Sequence, residues 1–203
     1  LTVVDNRWWG QDNIRDDEQK AVFGEVTIPA SDKTDITVGF RKYDTENTFD
    51  AKDGYFGYYE TDPNLGYVGR TNTYKFDDSG VVPKFNIAHR PNDDLLVYAT
   101  YSEGFRPSGI NRTTGRTAEL VPDTYTSDLL RNLELGWKST LADGKVIFNG
   151  LVYSMNWEDY QSTRYVYELL TVAYVENVGM ATVEGAELSS NFIISDSFSM
   201  SLM

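Results

Sequence analysis

The sequence of 203 residues contains no cysteine and only one histidine, His89. The lack of cysteine excludes disulfide bonds, zinc–thiolate centres and thiol catalysis within this chain. A single histidine likewise excludes a multi-histidine metal centre. The sequence also has no glycine-rich phosphate-binding loop and no nucleophile elbow. We therefore expect no bound metal, no cofactor and no enzymatic activity.

Long apolar runs are missing as well. No segment approaches the roughly 20 apolar residues that a membrane-spanning helix needs, and the mean hydropathy is −0.43. These values exclude a helical membrane protein. They leave open a membrane-spanning β-barrel, because each barrel strand needs only about 10 residues and presents one face to lipid.

Basic residues are outnumbered by acidic ones, since 18 Lys and Arg against 31 Asp and Glu give a formal net charge of −13. A surface of that sign repels a phosphate backbone, so we expect no nucleic-acid partner. The acidic excess is typical of a well-solvated surface. The alternative is that acidic loops face divalent cations or a cationic ligand.

The beginning of the sequence lacks the features of a signal peptide. Leu1 is not an initiator methionine, and the residues after it form neither a basic region nor an apolar one. We therefore expect an internal fragment of a longer protein, in which residues 1–203 are part of one domain.

What the sequence does contain is a period-two alternation. Ile36, Val38 and Phe40, for example, alternate with polar or small residues. This spacing gives a β-strand one apolar and one polar face, whereas a helix would distribute the same residues around its circumference. The pattern predicts eight strands, at residues 19–28, 35–45, 81–89, 95–105, 129–140, 145–157, 174–193 and 197–203. The seventh is long, and the alternative is that its upper part belongs to the preceding loop.

The connections between these strands alternate between short and long. The short ones are rich in the Pro, Asn, Asp and Gly of tight turns and lie at residues 29–34, 90–94, 141–144 and 194–196. The long ones lie at residues 46–80, 107–128 and 158–173. Long loops at one end and tight turns at the other are typical of an outer-membrane barrel, with loops outside the cell and turns in the periplasm. Loops of this length are unusual in a compact soluble domain.

The alternation alone does not separate a membrane barrel from a small soluble β-domain. In the barrel the apolar face meets lipid and the polar face lines a wet lumen, whereas in the soluble domain the apolar face is the core. Glu103 shares a face with Val97 and Tyr101. If that face meets lipid, we expect Glu103 at the outer rim, because a carboxylate in the middle of the membrane is costly.

Several motifs resemble TonB-dependent receptor barrels, and they occur in the order expected for that family. The most specific is Tyr98-Ala-Thr-Tyr-Ser-Glu-Gly-Phe-Arg-Pro-Ser-Gly-Ile-Asn-Arg112, which is similar to a strand that rises into an extracellular loop. The others are Pro122-Asp-Thr-Tyr-Thr-Ser-Asp128, Asn132-Leu-Glu-Leu-Gly-Trp-Lys138, Phe148-Asn-Gly, Val175-Glu-Asn-Val-Gly179 and Val183-Glu-Gly-Ala-Glu-Leu188. The resemblance covers nearly the whole chain from Gln19.

The resemblance implies an all-β fold, namely a 22-stranded antiparallel up-and-down transmembrane barrel, of which this chain supplies about eight strands. It also implies an N-terminal plug and a TonB box that couples to TonB–ExbB–ExbD, neither of which is in this sequence. Proteins of this kind lie in the bacterial outer membrane and import scarce nutrients, most often ferric siderophores. Cobalamin, haem, nickel complexes and oligosaccharides use the same scaffold, and fold does not choose among them.

Import of this kind needs no covalent chemistry, so we expect ligand-binding residues in the long loops. Arg106, Asn111, Arg112 and Arg116 lie in one predicted loop. Guanidinium groups suit the carboxylate or catecholate oxygens of an anionic ferric siderophore. The alternative is that Arg106 and its neighbours hold the loop in place or contact lipopolysaccharide.

Aromatic residues in the other two long loops raise the same question. Tyr58 and Tyr59 lie in the first, which is rich in Tyr and Gly, and Tyr160 and Arg164 lie in the third. Tyr and Gly together can form an adaptable ligand surface. The alternative is a loop that packs on itself or on its neighbours.

A nutrient receptor of this kind is expected to have an iron–siderophore complex, outer-membrane lipid and lipopolysaccharide as its partners. Two other function classes remain as alternatives. One is a non-transporting outer-membrane barrel, either a porin or an adhesin. A TonB box and a plug upstream in the parent gene would exclude it. The other is a soluble β-rich carbohydrate-binding module, which would be soluble without detergent.

Overall fold

The computed structural model describes residues 9–55, 68–111, 121–166 and 172–203, with the side chains of 13–50, 73–111, 121–166 and 173–203. Every regular element within these ranges is a β-strand. None of the described residues belongs to a helix with the length and apolar character needed to cross a membrane.

Eight strands form one sheet in which all neighbours are antiparallel. Their order is β1-β2-β3-β4-β7-β8-β11-β12, so strands adjacent in space follow one another along the chain except where a small hairpin intervenes. Their bounds are β1 Trp9–Ser31, β2 Thr34–Tyr55, β3 Val68–Asn92, β4 Leu95–Arg106, β7 Asp128–Leu141, β8 Val146–Glu158, β11 Ala181–Ser195 and β12 Phe198–Leu202.

Two small hairpins lie in the connections at one end of the sheet. The first pairs β5 (Gly109–Ile110) with β6 (Thr124–Tyr125), between β4 and β7. The second pairs β9 (Gln161–Val166) with β10 (Val172–Asn177), between β8 and β11. The connections at the opposite end contain only tight turns, so the sheet has a loop end and a turn end, as the alternation of short and long connections predicts.

The register places apolar residues side by side on one face of the sheet. One cross-strand row on that face is apolar across seven strands: Ile28, Ile36, Ile87, Ala99, Leu135, Val152 and Ala186. The next row on the opposite face is mostly polar: Thr27, Thr37, Asn86, Thr100, Glu134, Tyr153 and Gly185. A step of one residue along each strand therefore leads from the apolar face to the polar face of the sheet.

The apolar face is open in the described part of the chain. Ile28 is 53% exposed, Leu135 52% and Val152 49%, although burial of such side chains is favourable. A soluble protein rarely leaves a continuous apolar surface uncovered. This face therefore requires an apolar environment from outside the described residues.

Polar contacts connect neighbouring strands on the opposite, polar face. The Thr27 and Thr37 hydroxyls lie 2.9 Å apart, and Tyr98 donates to Glu134 Oε1 at 2.7 Å. The Tyr98 ring covers Gly136, where an added Cβ would lie 2.5 Å from the ring carbon Cζ. A larger residue at position 136 would therefore displace the Tyr98 ring from this place.

The first three strands are longer than the sequence predicts, with 23, 22 and 25 residues. The prediction that residues 46–80 form a loop is therefore wrong for most of that segment. The reason is that pairing continues beyond the apolar face through polar contacts. Thr73 donates to Asp50 at 2.7 Å, and Lys75 Nζ lies 3.0 Å from Glu46 Oε2.

The predicted strand 174–193 is divided into two elements in the structure. Residues 172–177 form β10, which pairs with β9, and β11 begins at Ala181. The break contains Gly179 at φ 99°, a conformation that β-branched and bulky residues avoid. The upper part of the predicted strand therefore belongs to the preceding loop.

Candidate functional site

An ion pair joins the last residue of β4 to the first residue of β7 at the loop end. Arg106 and Asp128 lie opposite each other in the register. The buried Asp128 carboxylate accepts hydrogen bonds from Arg106 Nε at 2.9 Å and from the Arg106 and Gln161 backbone N–H groups, both at 3.1 Å. A further bond comes from Arg106 Nη2. Asp128 thus connects β4, β7 and the start of β9.

These surroundings lower the pKa of the Asp128 carboxyl. Burial alone would raise it, because desolvation disfavours the charged form. The hydrogen bonds from the Arg106 side chain and from the backbone of Gln161 stabilise the charged form and outweigh burial. Asp128 is therefore ionised at neutral pH.

The Arg106 guanidinium also lies against two aromatic rings. Its central carbon is 4.5 Å from the centroid of Trp157 and 5.1 Å from that of Tyr160, and its Nη2 donates to the Gln161 carbonyl at 2.9 Å. The Arg106 side chain remains 42% exposed. A half-exposed cation supported by aromatic rings can still contact an anionic or aromatic ligand.

Asn111 is placed differently, since it is 4% exposed. Its Nδ2 donates to the carbonyls of Val175 at 2.6 Å and Pro122 at 3.0 Å, and its Oδ1 accepts from the Val175 N–H at 2.8 Å. The side chain connects two loops and is closed to a ligand in this arrangement. Its predicted role in binding stays a prediction.

Arg164 lies in β9, in an open hairpin. Its Nε is 3.6 Å from Glu176 Oε2, and its side chain is 54% exposed. An exposed pair of this kind contributes little stability, so its guanidinium can exchange the carboxylate for another anion. The neighbouring Tyr165 is 62% exposed. Among the predicted site residues, Tyr160 and Arg164 therefore belong to one loop and Arg106 lies at its base.

Four predicted site residues lie outside the described residues: Arg112, Arg116, Tyr58 and Tyr59. The described ranges do not group three or more His, Asp or Glu side chains in a way that could hold a metal ion. At the loop end, the exposed parts of Arg106, Arg164 and Tyr165 offer a ligand cationic and aromatic surface.

Sequence reasoning missed Asp128, Gln161 and Trp157, which all contact Arg106. For Asp128 a signal was present. The predicted strands 95–105 and 129–140 flank one loop, so pairing their ends places residues 106 and 128, which have opposite charges, near each other. For Gln161 no periodic or charge signal exists, because its contacts depend on how the next loop folds back.

Near Glu103, a second ionic group lies at the same end of the sheet. Arg131 Nε is 3.4 Å from Glu103 Oε1, and its Nη1 contacts Glu158. The Glu103 side chain is only 13% exposed. Glu103 lies three residues before the end of β4, beside a cation. Its expected position at a membrane rim stays a prediction.

Comparisons with known proteins agree on one architecture. A family model described as TonB dependent receptor-like, beta-barrel matches residues 4–202. The ferric yersiniabactin uptake receptor FyuA from Yersinia pestis matches with a TM-score of 0.76 at 20% identity, over 96% of this chain and 27% of that chain.

Two further solved structures are similar. The ferric-catecholate import receptor Fiu from K12 E. coli, in its closed form, has a TM-score of 0.65 at 16% identity, over 91% of this chain and 27% of that chain. The copper transporter OprC has a TM-score of 0.62 at 18% identity, over 89% and 27%. The chain thus spans about a quarter of the length of these proteins, and identities this low show the shared fold alone.

Proposed function

We propose, on the premise that this chain belongs to the TonB-dependent receptor β-barrel family, that its parent protein is an outer-membrane receptor that imports a ferric siderophore with energy supplied through TonB. The family match over residues 4–202 is the observation that carries the proposal. The described strands supply part of the barrel wall, and the loop end supplies part of the ligand-binding mouth.

The open apolar face supports the location in the outer membrane. Residues such as Ile28 and Val152 are about half exposed on a face whose cross-strand row is apolar throughout. Lipid acyl chains would cover such a face, and the polar face would line the lumen. A soluble carbohydrate-binding module would have to cover it with protein, and no second sheet or helix in the described ranges does so.

The nature of the cargo rests on the chemistry of the loop end. Arg106 and Arg164 are partly exposed cations, and Tyr160 adds an aromatic surface. These groups suit the carboxylate and catecholate oxygens of a ferric siderophore. Two of the similar proteins are receptors for ferric complexes, whereas the third transports copper.

The remaining candidate residues and partners belong to the same proposal. Arg112, Arg116, Tyr58 and Tyr59 would add cationic and aromatic contacts from the loops in which they lie. Asn111 would act indirectly, by holding the loop. TonB–ExbB–ExbD would act through the N-terminal part of the parent protein, and lipopolysaccharide would surround the barrel.

Uptake in cells tests this function. A strain lacking the parent gene is supplied with iron as single hydroxamate, catecholate or carboxylate siderophore complexes, and growth and radioactive iron uptake are measured. We expect the receptor mutant to lose uptake of one class of complex. A tonB mutant should lose uptake of that class as well. Uptake that persists without TonB would favour a porin, and unchanged uptake of every complex would contradict the iron proposal.

A further inference from the structure

Asn111 connects two loops by imitating a peptide group. Its side-chain amide donates to the carbonyl of Val175 and accepts from the N–H of the same residue, at 2.6 and 2.8 Å. The N–H and C=O of one strand residue point to the same edge, so a single amide can satisfy both. Asn111 lies in the loop between β4 and β7, here the 107–127 loop, and Val175 lies in the loop between β8 and β11, here the 159–180 loop.

Asn177 makes the reciprocal connection. It lies in the 159–180 loop, and its side-chain amide accepts from the Thr126 N–H at 2.9 Å and donates to the Thr126 carbonyl at 3.0 Å. Each loop therefore contributes one asparagine that binds both backbone groups of one residue in the other loop. The two contacts are called the asparagine clamps below.

Further bonds lie between the clamps. Gln161 Nε2 donates to the carbonyls of Thr126 at 2.9 Å and Pro107 at 3.0 Å. Asn177 also donates to the Asp159 carbonyl at 2.7 Å, within its own loop. The Asn111 amide is buried, so opening of its clamp leaves several polar groups without partners, whereas the bonds of Asn177 and Gln161 lie at the surface.

One of the two loops is also attached to the long strands. Ile110, 7% exposed, packs with Phe49 of β2, and the Ser127 hydroxyl bonds to the Asp78 carboxylate of β3. The 107–127 loop is thus held on one side by apolar and polar contacts with the first strands and on the other by the clamps. A rigid connection then extends from β2 and β3 to the hairpin that presents Arg164.

We propose that the two asparagine clamps make the described parts of the 107–127 and 159–180 loops, residues 107–111, 121–127, 159–166 and 172–180, one rigid body. This side of the mouth is then a fixed wall, and Asn111 and Asn177 are positioning residues for the ligand-binding surface. The inference that the wall binds a ligand rests on the proposed function. The inference that the loops are one body rests only on the contacts above.

Hydrogen exchange on the full-length receptor in detergent tests the rigid body directly. The variants are N111A and N177A. If the loops are one body, N177A speeds exchange of the Val175 amide, which binds Asn111, and N111A speeds exchange of the Thr126 amide, which binds Asn177. We expect roughly tenfold in each case, because each variant removes two or more hydrogen bonds.

The control is N191A, in β11, where the Asn191 Oδ1 accepts a 3.4 Å bond from Ser201. This variant should leave exchange in both loops unchanged. If N111A and N177A each affect only the amides that they contact, the loops are two independent bodies and the proposal is wrong. A variant that fails to fold would lose protection in β7 and β8 as well. If this happens with N111A, the variant N111S, which keeps one acceptor oxygen, is used in its place.

A covalent link between the loops tests the second part of the proposal, that the wall stays fixed during uptake. The chain has no cysteine, so the pair T126C/N177C replaces one clamp by a disulfide that is opened by reductant. We expect the oxidised receptor to take up its ferric complex at the rate of the reduced one, within about twofold. A loss of tenfold or more that reductant restores would show that the loops have to separate, and would overturn the fixed wall. If the unmodified receptor takes up no ferric complex, the proposed function fails while the exchange experiment still decides the rigid body.

Discussion

The turn end and the loop end of this sheet are built by different means. Near the turns, backbone pairing and the alternation of residues define the structure, as in the apolar row that runs from Ile28 to Ala186. Near the loops, β4 ends at Arg106 while β1 to β3 continue. Individual side chains such as Asp128 and Asn111 then replace the backbone ladder as the connection between neighbours.

This difference teaches where single substitutions should matter. A repetitive face tolerates the exchange of one apolar residue for another, because the pattern is carried by many residues. A connection made by one carboxylate or one amide does not tolerate substitution in this way, because its removal leaves buried partners without hydrogen bonds. The predictions below test each part of the comparison.

The largest effect is expected for a charge on the apolar face. Val152 and Leu151 are adjacent in β8 and point to opposite faces. If the apolar face meets lipid, V152R should destabilise the full-length barrel in vesicles by roughly 2–4 kcal/mol, and L151R, on the polar face, by clearly less. The measurement is reversible denaturant unfolding. Equal effects of the two variants would mean that the apolar face does not lie in a membrane.

A smaller effect is expected for the ion pair at the loop end. D128N keeps one acceptor oxygen but turns an NH₂ group towards the donors of Arg106 and Gln161. We expect a loss of about 2 kcal/mol in the free energy of local opening, read from exchange of the Gln161 amide. The matched control D32N, in the exposed turn between β1 and β2, should change nothing. Unchanged protection in D128N would show that Asp128 does not hold the loops.

The same contrast explains what the sequence could predict. The strand centres follow from period-two alternation, and the division into a turn end and a loop end follows from the alternation of short and long connections. Both are repeated signals. The extensions of β1 to β3 carry polar residues on both faces, such as the adjacent Asn47 and Thr48 of β2, so no continuous apolar pattern marks them. Their pairing is visible only once the strands are aligned.

The site divides in the same way. Arg106 opposite Asp128 could have been predicted from the register of two strands that flank a loop. Asn111 and Val175 are 64 residues apart and belong to separate loops. Nothing periodic relates them, and an asparagine side chain has no charge that would indicate its partner. Such contacts follow from the folded arrangement of both loops.

At the turn end, a stabilising substitution is expected. Ala142 has φ 53° in the connection between β7 and β8, a conformation that costs a residue with a Cβ roughly 1–2 kcal/mol. A142G removes that cost but gives the unfolded chain more freedom, so we expect a net gain of about 0.5–1 kcal/mol. The control A88G, within β3, should instead lose stability. A loss in A142G would mean that its left-handed conformation is not strained.

The smallest effect is the pH dependence of the loop end. Since the folded state lowers the pKa of Asp128, its contribution is fully present above the pKa of the unfolded chain, near 4, and is lost as pH falls through the lower folded value. Between pH 7 and pH 5 the protection of the Gln161 amide, corrected for intrinsic exchange, should stay constant. By pH 4 it should fall by no more than about 0.5 kcal/mol. D128N should abolish even this decrease, and a decrease that begins at pH 6 would mean that another group controls the opening of the loops.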